Sequence, residues 1–294
     1  MGGASGGGPT VTTDLTCGQS RSGWVDADAG FAAIGGATLH YELSGAGPPL
    51  VLIHGFSLDH RMWDAQIDAL VARCRVLRYD CRGFGRSSLP VEGQPYSHHE
   101  DLKALFEHLR IASAIVVGMS LGGGTAIDFA LAYPEMTRGL ILIDSTLAGF
   151  RWSEEFLGPI RACSATARVA GVEAARELWC RHPMFASAQR KPEVMAWLHE
   201  IVAGYSGWHW LHADPRQSLA PPAITRLRGL AAPTLAIVGE RDITDFHAIA
   251  RLVEEQVPNA RRLVVPGVGH LANMEVPDTC TDAILGFLVE CCPP

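Results

Sequence analysis

An α/β fold, with a mostly parallel central sheet flanked by helices and carrying a helical cap insertion, is what this chain of 294 residues predicts. Three observations point to it. Strand-like and helix-like segments alternate along both ends of the chain; several of the strands are continuous apolar runs of the kind buried on both faces; and between residues 147 and 222 the strand pattern stops and helical spacing takes over.

Residues 31–43 read as two short strands joined at Gly35-Gly36, and 49–53 (Pro-Leu-Val-Leu-Ile) as a strand covered on both sides. Met62, Trp63, Ile67, Leu70 and Val71 recur at helical spacing over 62–71, and 75–79 returns to strand character. A helix over 99–109, a strand at 114–117, a helix over 121–132 stopped by Pro134, and a strand at 139–143 continue the alternation. After the insertion, with Trp152, Trp179, Trp197, Trp208 and Trp210 among its apolar positions, come a strand at 234–238, a helix over 246–256, a strand at 262–265 and a last helix over 278–289. The division expected is a glycine-rich flexible tail over 1–25, a core made of 26–146 and 224–294, and a helical cap over 147–223.

A hydrophobic content of 48% is enough for one large core and an insertion. The net charge of -7 comes from 24 basic and 31 acidic residues with neither sign gathered in a long run, so nucleic acid is not an expected partner. The longest apolar runs are strand-length, far short of the roughly 20 residues of a membrane-crossing helix. Residues 1–9 lack the basic start and apolar middle of a secretory signal, and eight cysteines are scattered without a C-x-x-C pair. A cytoplasmic protein with reduced thiols is expected.

Gly118-Met119-Ser120-Leu121-Gly122 fits G-x-S-x-G where a buried strand gives way to a helix, the setting of a strained turn that lifts a serine hydroxyl above a sheet. A serine hydroxyl is a poor nucleophile at neutral pH and needs a base, and the base needs an acid to orient it. Asp242 follows the 234–238 strand and His270 follows the 262–265 strand, both at the strand ends where open α/β sheets place ligands. Asp144, at another strand end, is the alternative acid, and Asp245 a third. The twelve histidines include no H-E-x-x-H pattern; His98 and His99, adjacent on a helix, point about 100° apart, and they, like His209 and His212, read as packed or solvated rings. No metal or cofactor is required. Asp128 reads as an exposed or loop-bracing carboxylate.

The elbow, the order Ser120, Asp242, His270, the His54-Gly55-Phe56 segment, the run Asp80-Cys81-Arg82-Gly83-Phe84-Gly85-Arg86-Ser87-Ser88 and Gly269-His270 together resemble the α/β-hydrolase superfamily over about residues 30 to 290. The Met62-Trp63 helix and the 75–88 stretch are similar to its branch of bacterial carboxylesterases and arylesterases, 3-oxoadipate enol-lactonases and cofactor-free perhydrolases. The resemblance implies an oxyanion hole from the backbone N–H groups of Phe56 and Leu121, with His54 in a structural role. It also implies an acyl-serine route for a small ester or lactone; Phe56 and Met119 beside the serine, with Trp152 and Trp208 from the cap, are the candidate pocket and suit an apolar or aromatic substrate. Carboxylic ester hydrolysis is the first expectation and enol-lactone hydrolysis or perhydrolysis the next. A small-molecule receptor that kept the fold is the alternative from another class.

Overall fold

A computed structural model describes residues 28–291 and the first two residues of the chain; the tail expected over 1–25 otherwise lies outside the described residues. The strands are β1 (Asp28–Ile34), β2 (Ala37–Ser44), β3 (Pro49–Ile53), β4 (Arg75–Tyr79), β5 (Ala114–Met119), β6 (Thr137–Ile143), β7 (Thr234–Gly239) and β8 (Ala260–Val265). They form one sheet in the order β1-β2-β4-β3-β5-β6-β7-β8. β1, β2 and β4 pair antiparallel; from β4 onward every pairing is parallel.

The sequence accounts for this order. Leu50, Val51, Leu52 and Ile53 of β3 are wholly buried, as a central strand between two helical layers must be, and each such side chain contributes about 1.5–3 kcal/mol by leaving water. Phe31 to Ile34 of the edge strand β1 alternate between exposed and buried instead, and the Gly35-Gly36 turn into β2 has φ of 52° and 76°. Such positive values are open to glycine at little cost.

The helices are α1 (Asp64–Val71), α2 (His98–His108), α3 (Leu121–Ala132), α4 (Glu154–Ala170), α5 (Val172–Trp179), α6 (Pro192–Ala203), α7 (Trp208–Leu211), α8 (Thr244–Gln256), α9 (Ala272–Glu275) and α10 (Pro277–Cys291). Those from α4 to α7 form the helical insertion between β6 and β7. The helix expected over 62–71 instead opens as a 3-10 turn, His60–Trp63, because the Asp59 carboxylate accepts from the Arg61 amide at 3.0 Å and tightens the entry. No helix among the described residues is long and apolar enough to cross a membrane.

The parallel strands β3, β5, β6, β7 and β8 all run the same way. Their carboxyl ends therefore share one edge, and the loops after β3, β5, β7 and β8 bring His54, Ser120, Asp242 and His270 to it.

Candidate active site

Ser120 stands between β5 and α3 with φ 52° and ψ -114°, a strained conformation for a residue with a side chain. The turn closes only because its neighbours are glycines: a Cβ on Gly118 would run into the Gly122 carbonyl, and one on Gly122 into the Ile53 carbonyl. Hydrogen bonds hold it from outside. The Ser120 amide donates to the Ile143 carbonyl at 2.9 Å, and the Thr146 amide and hydroxyl donate to the Ser120 carbonyl at 3.0 and 3.1 Å.

The Ser120 hydroxyl lies 3.0 Å from His270 Nε2, across 150 positions of sequence, and His270 Nδ1 lies 2.8 Å from Asp242 Oδ2. The other Asp242 oxygen accepts from the Ile243 amide at 2.8 Å. The His270 loop is braced by Glu275, which accepts from the Gly269 amide at 3.0 Å and from the Ser187 hydroxyl of the insertion at 2.6 Å. Burial pushes the His270 imidazole down, so the ring is neutral at pH 7 and free to take a proton.

Asp144 shares this cluster. It is fully buried, has φ 44°, and accepts from the Gly239 amide at 2.9 Å. Burial and the adjacent Asp242 charge push its carboxyl well above the ordinary range. Burial pushes the Asp242 carboxyl up as well, but the hydrogen bond between the two lowers Asp242 and raises Asp144, so of this coupled pair Asp144 holds the proton and Asp242 faces His270 with the charge. The third carboxyl, Asp245, is engaged elsewhere, accepting from the Ser153 hydroxyl at 2.6 Å and tying α4 to α8.

The amides of Phe56 and Leu121 flank the serine and donate to no protein acceptor among the described residues. Above them is a cavity of about 310 Å³ whose walls include Phe56, Met119, Trp152, Phe156, Ile160 and Trp179, with Ser120 and His270 in its floor. Trp152 stacks on Phe156 with ring centroids 4.1 Å apart, and Phe56 meets Trp179 edge-on at 5.4 Å.

Trp208 does not join them. Gly207, at φ 74°, opens the one-turn α7, and the ring of its first residue is spent stacking on His212 at 5.1 Å. The insertion places Trp179 in the wall instead, its indole N–H donating to the Ser57 hydroxyl at 2.6 Å. Of the two readings of Asp128, exposed or loop-bracing, the structure keeps the second. The residue is buried, not exposed, and lines the cavity, and one oxygen braces a loop by accepting from the Leu219 amide at 3.4 Å.

His54 bridges two loops: its Nδ1 donates to the Gly55 carbonyl at 2.8 Å and its Nε2 accepts from the Cys81 amide at 2.9 Å. Farther off, His40, His60 and Asp80 bring three possible ligand atoms within 4.8 Å of one another. Their contacts are those of an ion-pair network. His60 Nδ1 lies 2.7 Å from Asp80 and its Nε2 lies 3.3 Å from Glu42, while the Arg86 guanidinium donates to His40 Nε2 at 2.9 Å. Burial alone would lower His60, but these two carboxylates outweigh it and hold the ring at about 9.

A sequence model described as "Alpha/beta hydrolase family" matches residues 50–283. The pimeloyl-[acyl-carrier protein] methyl ester esterase of Pectobacterium carotovorum is 30% identical over 271 residues, covering 85% of this chain and 98% of its own. The enol-lactonase of Burkholderia xenovorans LB400 superposes with a TM-score of 0.73 at 28% identity, over 88% of this chain and 100% of that one. A thermophilic esterase from Thermogutta terrifontis gives 0.73 at 27% identity, over 91% and 99%. With the matched region running from β3 into α10, and so taking in the serine turn and the loops of Asp242 and His270, the chain belongs to the alpha/beta hydrolase family.

Proposed function

We propose that the protein is a carboxylic ester hydrolase working through an acyl-serine, with Ser120 as nucleophile, His270 as general base and then acid, and Asp242 as the carboxylate that orients His270. The observation that carries this reading is the unbroken line Ser120 Oγ, His270 Nε2, His270 Nδ1, Asp242 Oδ2, with steps of 3.0 and 2.8 Å, under a largely apolar cavity.

In this mechanism the serine oxygen attacks the ester carbonyl as its proton passes to His270 Nε2. The carbonyl becomes an oxyanion held by the Phe56 and Leu121 amides, an interaction worth on the order of 3 kcal/mol per donor in such sites. The intermediate expels the alcohol, which takes the proton from His270, leaving an acyl-serine. Water then attacks the acyl carbon, giving its proton to His270; collapse releases the acid and returns the proton to Ser120. Residues 147–223 act as the cap that shapes the acyl pocket, and the core is 26–146 with 224–294.

A lactone is an internal ester, and ring opening needs the same groups. The likeness to an enol-lactonase makes such rings the second substrate class to examine. Steady-state hydrolysis of a short p-nitrophenyl ester series, with an enol-lactone alongside, tests the proposal. Multiple turnover by the wild type and a loss of at least about a thousandfold in Ser120→Ala support it; equal rates in the two proteins refute it.

A further inference from the structure

The cavity has a polar arm that the proposed chemistry does not use. Ser120 is followed along α3 by Gly124 and Asp128, a spacing of four residues that keeps all three on one face. Eight residues at 1.5 Å each put Asp128 about 12 Å down the helix from Ser120, and its side chain tilts back toward it. His98, on the first turn of α2, and Arg216, from the insertion, line the same cavity, and the Arg216 charge acts on both His98 and Asp128.

The polar groups there are built and unsatisfied. His98 is 4% exposed, and neither of its ring nitrogens has a hydrogen-bond partner; its ring lies between Phe84, at 6.4 Å, and Tyr96, at 5.3 Å. Asp128 is 6% exposed, and its Oδ1 has no partner. Leaving such groups unpaired costs about 1–3 kcal/mol each, so a cavity that keeps them is shaped for a ligand able to pair with them.

The charges indicate which ligand. Arg216 is loosely paired, its Nε 3.7 Å from Asp214 Oδ2, and the Asp214 carboxylate also accepts from the Tyr96 hydroxyl at 3.0 Å. The guanidiniums of Arg216 and Arg226 both act on Asp128, and Arg216 also faces Asp214, so two charges of each sign balance and leave no surplus cation for an anion. Burial and the nearby Arg216 charge keep His98 neutral, able to donate from one nitrogen and accept at the other. A group that both donates and accepts fits this pair, with its proton toward Asp128 Oδ1 and its lone pair toward the His98 N–H.

We infer that Asp128 and His98 form a subsite for a hydroxyl group carried on the acyl part of the substrate, remote from the carbonyl that Ser120 attacks. This rests on the proposed ester cleavage and narrows its substrate class to hydroxylated esters or lactones. A purely apolar acyl chain long enough to reach the arm leaves both groups unpaired, whereas a hydroxyl pairs with them, so the apolar chain is a poorer substrate than its hydroxylated counterpart.

The test uses p-nitrophenyl esters of ω-hydroxyalkanoic acids over a range of chain lengths. Each is compared with the unsubstituted alkanoate and the dicarboxylic half-ester of the same length. At the length that reaches the arm, the wild type is expected to favour the hydroxyl over the unsubstituted ester by about tenfold or more in kcat/KM. Asp128→Leu and His98→Leu bring that ratio close to one, while Asp128→Asn, which keeps an acceptor oxygen, retains part of it.

Calorimetric binding of the corresponding methyl esters to Ser120→Ala reads the subsite without turnover, so a failure of the hydrolase reading and a failure of the subsite give different results. Tighter binding of the hydroxylated ligand supports the inference even if no ester is turned over. No hydroxyl preference at any length, in either rate or binding, overturns it, and so does a preference for the half-ester, which would assign the arm to Arg216 and an anion.

Discussion

Asp144 and Asp242 come from the ends of neighbouring strands, β6 and β7, yet one oxygen of each and a ring nitrogen of His270 lie within 4.8 Å of one another. The pair holds one charge and one proton, with both side chains buried. Asp144→Asn, which keeps a neutral side chain of the same shape, should leave kcat/KM within about tenfold of wild type. Asp242→Asn should lose much more, but Asp144 can ionise once the competing carboxylate is gone. The double variant Asp144→Asn/Asp242→Asn is then expected to fall at least about tenfold below Asp242→Asn alone. Equal rates for the single and double variants would show that Asp144 takes no part.

The acid limb of the pH profile reports His270. A general base works only when unprotonated, and burial moves this ring below its ordinary value of 6.5. Lowering the value keeps the base competent as the pH falls, so kcat/KM should hold through pH 6.5 and decline only at more acid pH. A decline centred above 6.5 would mean that the Asp242 charge outweighs the effect of burial.

The His60 network makes a separate prediction about stability. His60 is raised from 6.5 to about 9 by Asp80 and Glu42 against the effect of burial. Its contribution, on the order of 3 kcal/mol, is therefore complete below pH 6.5 and is lost as the pH rises through 9. Denaturant unfolding of wild type and His60→Gln should give a large stability difference at pH 6 that shrinks by pH 9.5. A difference that does not vary with pH contradicts the assignment.

The serine turn tolerates no added side chain. Gly122→Ala places a methyl group against the Ile53 carbonyl, which the central strand cannot move aside. Overpacking of this kind costs about 1–3 kcal/mol, and in a protein of this size the melting temperature should drop by roughly 3–10 °C. An unchanged melting temperature would mean that α3 can shift away from β3.

Much of this arrangement is legible in the sequence, because the signals are local. The run Pro49–Ile53 states its double burial, G-x-S-x-G states the turn, and Asp242 and His270 each follow an apolar strand closely enough to be placed at the same sheet edge. Asp242 and Asp144 both follow apolar strands, which leaves the sequence open between them, and the 2.8 Å contact to His270 is with Asp242. The cavity wall is less legible. Trp179 and Trp208 look alike in a tryptophan-rich insertion, and which one faces the serine depends on how short helices cross over the sheet. Asp128 does carry a signal, its spacing of eight residues from Ser120 along one helix face. What that spacing cannot state is that α2 and the insertion line the same cavity and that the carboxyl is buried in its wall.

The central claim, that Ser120 is an activated nucleophile, is tested most directly by labelling. The protein is treated with a p-nitrophenyl alkylphosphonate, with release of p-nitrophenol followed and the adduct mapped by mass spectrometry. A single adduct on Ser120, formed rapidly by the wild type and much more slowly by His270→Ala, is the predicted result. An adduct on another residue, or labelling of Ser120 at the same rate without His270, would contradict it.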